Sequence, residues 1–580
     1  MKTLRHTQGA RRALITGFAT LSLLVGTSTL AFAQLPAAQE QAAQGTASAG
    51  RVQQEFIDGR SLPAVGPKVE VRDLVLQNMP ANADKIRFTL SQIHFEGVGT
   101  YTADDIRYLY ADKLGQTVTL ADVYKIASAM TNKYRNDGYI LTQVIVPPQT
   151  IDGGVVKLRA VEGFVDQIRV TGNDQESALK TVRAYANRIR TDGQALNVED
   201  LEKFLLLIND LPGVEARSVL SPSRTRTGAS DLQIIVERDP YEAFLGVDNN
   251  GSRFLGPIQF TAAGAVNSFF GNNERISAQF VAAPDNAELY FFSLGYDQPI
   301  GTHGTVIRTL YSHTNTEPGF DLDQFDVNGK SDFASVTIEH PFVRSRARNI
   351  YGHVVFDWRD VQSRNILEPT REDRIRAIRA GGRFEFLDDI FTAGINAVSF
   401  EIAHGLDIFG ASSSNDIRLS RPAGDPTFTK FNAEAQRLQR VTSDINVLVA
   451  GRAQFANSAL LSSEEFGVGG INSGRGYDPS EIVGDDGVSG KVEVQWNEPH
   501  PLSWMEDYQL FGFYDVGKVW NDDATTTDDD ESLASTGVGI RADFQNDIQA
   551  GMAVAFPLTR DVETQRDDDP RFYFNLNRKF

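Results

Sequence analysis

From residue 241 to the last residue, apolar and polar side chains alternate with a period of two. Ile276, Ala278, Phe280 and Ala282 alternate with Arg275, Ser277 and Gln279. Ile350, Gly352, Val354, Phe356 and Trp358 alternate with Tyr351, His353, Asp357 and Arg359. Val488, Gly490, Val492, Val494 and Trp496 alternate with Ser489, Lys491, Glu493, Gln495 and Asn497. Successive strand residues point to opposite faces, so one face suits lipid and the other a wet lumen. About sixteen such runs fall near 241–250, 257–267, 274–283, 288–298, 303–314, 332–342, 349–360, 373–386, 392–404, 440–454, 462–469, 487–498, 507–519, 533–545, 548–557 and 570–580. This predicts a transmembrane antiparallel β-barrel over 240–580, with an even strand number. A soluble sandwich also alternates, but it rarely extends this far as one unit, and charges such as Arg275 and Asp357 must line something wet. The long polar connections at 315–331, 405–439, 470–486 and 521–532 all follow odd-numbered runs, so they share one side.

Upstream of the barrel the periodicity is helical. Residues 86–239 hold two copies of a β-α-α-β-β pattern, 86–163 and 164–239, and self-similarity at one period marks a tandem array. In the first copy Thr102 and Thr119 open helices with acids in the first turn, and Gly138 stops the second. In the second, Asn197 opens a helix that Leu211-Pro212-Gly213 ends. Residues 34–85 are Ala/Gln/Gly-rich and then punctuated by Pro63, Pro67 and Pro80, which reads as a linker with one polar helix over 42–57. Residues 1–33 form a signal peptide. Lys2, Arg5, Arg11 and Arg12 precede an apolar stretch and the small-x-small site Ala31-Phe32-Ala33.

Removing those four cations from a net charge of −20 leaves about −24, which argues against a nucleic-acid partner. The chain has no cysteine, hence no disulfide, thiolate nucleophile or Cys-based metal site. Beyond residue 30 no run of 18 apolar residues offers a membrane helix, which leaves a barrel open. Asp321, Asp323 and Asp326 lack calcium-loop spacing, as does the acidic run 528–531. The histidines show no zinc spacing, and no Gly-x-Ser-x-Gly elbow occurs. No catalytic residue, cofactor or metal is expected, and the chain does not read as an enzyme.

The candidate chemistry is mechanical. Arg475-Gly476-Tyr477 lies in a glycine-rich segment, 467–480, between strands. Phe513, Asp515 and Gly517 share one face of a later strand, and Tyr514 and Val516 the other. A carboxylate facing lipid is costly, so Asp515 faces the lumen. A guanidinium is a planar fork that pairs bidentately with a carboxylate, and glycines permit close approach. Arg475 and Asp515 are therefore expected to hold the loop inside the pore. A solvated surface arginine is the alternative reading. The chain ends on an aromatic strand closing with Phe580.

These motifs resemble a known family. Tyr134-Arg135-Asn136-Asp137-Gly138-Tyr139, Val146-Pro147-Pro148-Gln149, Asp152-Gly153-Gly154 and Val161-Glu162-Gly163 look like the first POTRA domain of two-partner secretion transporters, the haemolysin/haemagglutinin secretion-activation family. Asn209-Asp210-Leu211-Pro212-Gly213 resembles a turn of the second. The Arg475 segment resembles the family's inward-folding loop, and Phe513-Tyr514-Asp515-Val516-Gly517 its partner strand. Gly474 stands where the family usually has an aliphatic residue. The resemblance implies an outer-membrane transporter, with POTRA domains in the periplasm, that binds an unfolded exoprotein such as an adhesin or haemolysin and exports it. It also implies recognition of Phe580 by the barrel-assembly machinery. By its position the 42–57 helix matches the family's pore plug, with a flexible tail as the alternative reading. A barrel-assembly factor shares the plan but usually carries more POTRA repeats, and a passive porin needs none.

Overall fold

The computed structural model describes residues 45–57, 70–71, 79–172, 176–189, 193–226, 228–284, 288–366, 370–498, 504–522 and 530–580. The signal peptide and the first residues of the 42–57 helix lie outside them.

Two small α+β domains precede the barrel. In the first, helix Leu120–Asn136 turns Val123, Ile126, Ala127, Met130 and Tyr134 inward, the spacing of one helix face. Its start is a capping box. The Asp122 amide donates to Thr119 Oγ1 at 3.2 Å, and the Thr119 amide donates to the Asp122 carboxylate at 3.0 Å. Those helical side chains pack on a sheet ordered Gln92–Glu96, Val155–Val161, Gln143–Ile145. The second domain repeats the plan. Helix Val198–Asn209 buries Leu201, Phe204, Leu205 and Ile208 against strands Phe164–Gly172, Val214–Pro222 and Ala229–Arg238. Its sheet gains a fourth member from the linker: Glu70–Val71 pairs in parallel with Val219 and Leu220 at the edge.

The barrel closes with sixteen antiparallel strands. They are β1 (Tyr241–Asp248), β2 (Gln259–Asn267), β3 (Arg275–Ala282), β4 (Leu289–Ile300), β5 (Thr305–Thr316), β6 (Asn328–Arg344), β7 (Arg348–Arg364) and β8 (Arg371–Asp388), followed by β9 (Gly394–Gly405), β10 (Thr429–Arg440), β11 (Ile445–Ala456), β12 (Asp486–Asn497), β13 (Met505–Trp520), β14 (Asp530–Phe544), β15 (Ile548–Pro557) and β16 (Arg571–Lys579). β16 pairs back onto β1 from Phe244↔Lys579 to Asp248↔Asn575. Alternation decides the faces. On β13, Phe511, Phe513, Asp515, Gly517 and Val519 point inward, while Leu510, Tyr514 and Val516 face out.

The strand number of sixteen is reached by a different set of strands from the sequence reading. The run at 462–469 is not a barrel strand; it belongs to a loop inside the lumen. β10 was merged into the polar connection 405–439, because its outward positions Phe431, Ala433 and Ala435 carry little hydrophobic contrast. Long connections still follow odd strands. The turns after even strands are short, and the second α+β domain docks there. Arg344 donates to both Asp210 oxygens, at 2.7 and 2.8 Å, and Arg346 Nε lies 2.9 Å from Glu202.

Candidate functional site

The connection from β11 to β12 folds into the barrel as a short hairpin. Strand Phe466–Val468 pairs with Ile482–Gly484, and helix Gly470–Ser473 lies between them. Phe466, Val468, Tyr477 and Ile482 form an apolar face against Val519 and Leu533 of the wall and Val562 of the β15–β16 connection. Glycine lets the wall receive it. A Cβ on Gly517 would lie 2.4 Å from Val468 Cγ1, so only a bare backbone permits this contact. Gly474 is explained by the same crowding. A side chain there would meet Leu533 Cδ1 at 2.9 Å, and Leu533 fills the space instead.

The hairpin's end is an ion-pair cluster. Arg475 Nε and Nη2 donate to the two Asp515 oxygens at 2.9 and 2.8 Å, and its backbone amide adds a third bond at 3.1 Å. Its guanidinium lies over the Phe513 ring, 3.6 Å from the centroid. Nη1 donates to Glu493, which also accepts from Arg541 at 2.7 Å. Two guanidinia thus face two carboxylates, and the cluster is neutral. Asp515 is completely buried. The Tyr477 hydroxyl donates to the Ala534 carbonyl at 3.1 Å and accepts from the Leu558 and Thr559 amides. Gly476 presses on β14 and β15, where a Cβ would sit 2.8 Å from Ser535 Cβ. The structure therefore brings Arg475, Phe513 and Asp515 together directly. Gly476, Tyr477 and Gly517 shape the seat. Phe580 lies apart, at the seam, where its amide donates to the Ala243 carbonyl at 2.9 Å.

Sequence reasoning missed Glu493 and Arg541. Alternation places Glu493 on the luminal face, but only the β12–β13 register, Glu493↔Phe513, puts it beside Arg475. It also missed a second cluster at the hairpin's base. Glu464 pairs with Lys430 at 2.8 Å and with Arg379 at 2.9 Å, and Arg379 also pairs with Asp357. Arg421 joins Glu465 and Asp485 beside it.

Helix α1 (Ala49–Ile57) lies inside the lumen against β5, β6 and the hairpin base. Arg51 donates to the carbonyls of Ser462 and Glu465 at 2.9 and 3.0 Å. Gln53 donates to the Ser312 and Ser331 carbonyls and accepts from Ser331 Oγ. Arg359 donates to the Gly50 carbonyl. Val52 and Ala47 pack on Phe254, Leu255 and Leu322.

In the first α+β domain, the Val161-Glu162-Gly163 motif joins it to the second. Glu162 accepts from the Tyr134 hydroxyl at 2.6 Å and from the Gly99 and Thr100 amides. Burial first, then this carboxylate, pushes the Tyr134 phenol up.

Residues 228–542 match the family model of the haemolysin secretion/activation protein ShlB/FhaC/HecB. The chain belongs to that family. Residues 88–163 match the ShlB-type POTRA domain. The heme/hemopexin transporter protein HuxB of Haemophilus influenzae is 22% identical over 551 residues, 93% of this chain and 96% of that protein. The outer membrane transporter CdiB of Escherichia coli is 24% identical over 426 residues, 71% of this chain and 69% of that protein. The solved structure of CdiB from Escherichia coli superimposes with a TM-score of 0.72 at 20% identity, covering 94% of this chain and all of that one. This member of the family is an outer-membrane β-barrel transporter, and its POTRA domains lie in the periplasm. The side of the short turns is therefore periplasmic.

Proposed function

We propose that this chain exports one large partner protein in two-partner secretion, with α1 as a removable plug and Arg475–Asp515 as the pin that holds the hairpin in the lumen. The observation that carries the reading is a short helix held inside a closed barrel mainly by polar contacts. Hydrogen bonds of this kind exchange with water at about 1 kcal/mol net each, so six such bonds to α1 resist its release by about 6 kcal/mol, which passenger binding must offset. The passenger, an unfolded adhesin, haemolysin or similar exoprotein, joins the POTRA sheets by strand addition, which reads backbone rather than a fixed surface. In the second POTRA domain the sheet edge carries Glu70–Val71 at rest, so a passenger strand there displaces the linker leading to α1. No phosphate-cradling motif occurs in the sequence, and folding of the passenger outside supplies the drive. The aromatic β16 ending in Phe580 is read by the barrel-assembly machinery, and the outward apolar positions meet outer-membrane lipid.

The test uses residues 84–239 as bait in periplasmic extract, with captured proteins identified by mass spectrometry. Enrichment of one large exported β-rich protein, whose surface display then stops when the transporter gene is deleted, supports the reading. Capture of many unfolded outer-membrane barrels instead would make the chain an assembly factor.

A further inference from the structure

The lumen is divided. A cavity of about 840 Å³ is lined by residues of β3 through β11, by the hairpin and by α1. Among the described residues, none of β1, β2 or β12–β16 reaches it. The hairpin covers the wall from β12 to β14, and α1 sits against β5 and β6. Arg275, Asp297, Glu339 and Glu385 line the cavity near the periplasmic strand ends, while α1 packs on the outer connections at Phe254 and Leu322. Cavity and helix thus lie in line, in one half of the barrel.

Resting on the secretion reading, we infer that the passenger travels along the β3–β11 half of the wall, as a single extended chain, while the hairpin stays seated on the other half. Size supports this. A helix with its side chains, about 10–12 Å across, leaves a bore of roughly 80–110 Å². One extended strand needs about 5 by 10 Å, or roughly 50 Å²; a two-stranded hairpin needs about twice that. One strand fits with room for its side chains, while two would take up the whole bore.

The wall chemistry specifies the cargo. Its charges neutralise one another: Arg308 pairs with Glu339, Arg379 with Asp357, and His353 with Glu401. Between them lie small hydroxyl side chains, Ser277, Ser335, Thr337 and Ser399. Such a surface offers no continuous apolar strip and no row of one charge. It passes a chain rich in Ser, Thr, Asn and Gly without a trapping site. A long run of like charges meets repulsion from half of the wall's groups.

The natural chain lacks cysteine, so single cysteines report cleanly. The full chain with residues 45–57 deleted is placed in liposomes and treated with a charged methanethiosulfonate. Ser335→Cys and Ser399→Cys should react at least ten times faster than Ser489→Cys and Ser535→Cys, which lie buried on the hairpin side. An excess of an unstructured Ser/Gly/Asn-rich peptide should slow the first pair several-fold. Equal rates at all four positions, or no protection by the peptide, overturns the inference. The full-length chain carrying Arg51→Ala and Gln53→Ala repeats the measurement without the deletion, and the same order is expected. Export of the partner is scored separately. Partner export with symmetric labelling sinks the half-wall path alone. Asymmetric labelling and peptide protection in a transporter that exports no partner sinks the secretion reading alone.

Discussion

Replacing Arg475 with alanine should release the hairpin. The substitution removes two donors from Asp515 and one from Glu493, and it leaves Asp515 buried with only a backbone amide. The four-charge cluster then carries a net −1. Breaking a buried pair from one side costs about 3–5 kcal/mol. At about 1.4 kcal/mol per tenfold, exposure of the hairpin rises by roughly two to four powers of ten. Asp515→Ala leaves +1 and should act similarly. The double variant is neutral again, with Glu493 still paired to Arg541, and should be less open than either single. The assay is maleimide labelling of Ser473→Cys, which is 4% exposed inside the seated hairpin. Outer-membrane fractions are labelled over time, and heat-modifiable migration confirms a folded barrel. Unchanged labelling in both single variants would falsify the pin. A double variant as open as the two singles combined would show that the residues act independently.

Gly517→Ala should unseat the hairpin without touching a charge, because its Cβ would fall 2.4 Å from Val468 Cγ1; Ser473→Cys labelling should rise at least tenfold, and an unchanged rate would refute the close-packing argument. Tyr477→Phe strips the Thr559 amide of its acceptor, while the Leu558 amide keeps the Ala534 carbonyl at 3.0 Å, an expected cost of about 1 kcal/mol in hairpin seating read by the same labelling. In the first POTRA domain, Thr119→Ala should cost about 1 kcal/mol in urea unfolding of that domain, as loss of a cap does. The cap amide lowers the Asp122 carboxyl to about 2. A depressed carboxyl stabilises above its unfolded value near 3.9, so this contribution should be complete at neutral pH and vanish as pH falls from about 4 to 2. Unfolding midpoints across that window check it, with Asp122→Asn expected to weaken the dependence and leave the part carried by Glu96, Asp105 and Asp137, which are lowered too.

The sequence showed the barrel clearly and the hairpin only in part. Alternation of strong contrast, as in Ile350 to Trp358, needs a lipid face and a wet face. β10 escaped because alanines at 433 and 435 satisfy lipid without standing out from their neighbours. The 462–469 run misled for the opposite reason. Phe466 and Val468 alternate with Gly467 and Gly469, but they bury against the inner wall, and alternation does not say which surface a strand meets. Chemistry offers Arg475 and Asp515 as a pair, since a guanidinium and a luminal carboxylate suit each other, but it leaves a solvated arginine open, and the family resemblance tips the reading to the pair. Glu493, Arg541 and the Glu464–Lys430–Arg379 group depend on strand register and on where the hairpin base lands, which residue types do not encode. The position of α1 was also open, because its short polar sequence looks the same in a lumen as in a solvated tail.

The seated hairpin makes the inner face of the barrel two different materials. Beneath it, from β12 to β14, luminal residues are packed like the interior of a soluble protein, with glycines at contacts where nothing larger fits. Around the open half, from β3 to β11, the luminal residues that α1 and the hairpin base leave uncovered meet water and one another. Substitution should therefore be tolerated unequally around the ring. A saturation scan scored for barrel assembly would find every second position of β13 nearly invariant and the matching positions of β9 permissive. Sequence drift in such a transporter has freedom to follow a changing cargo on one side while the other stays fixed.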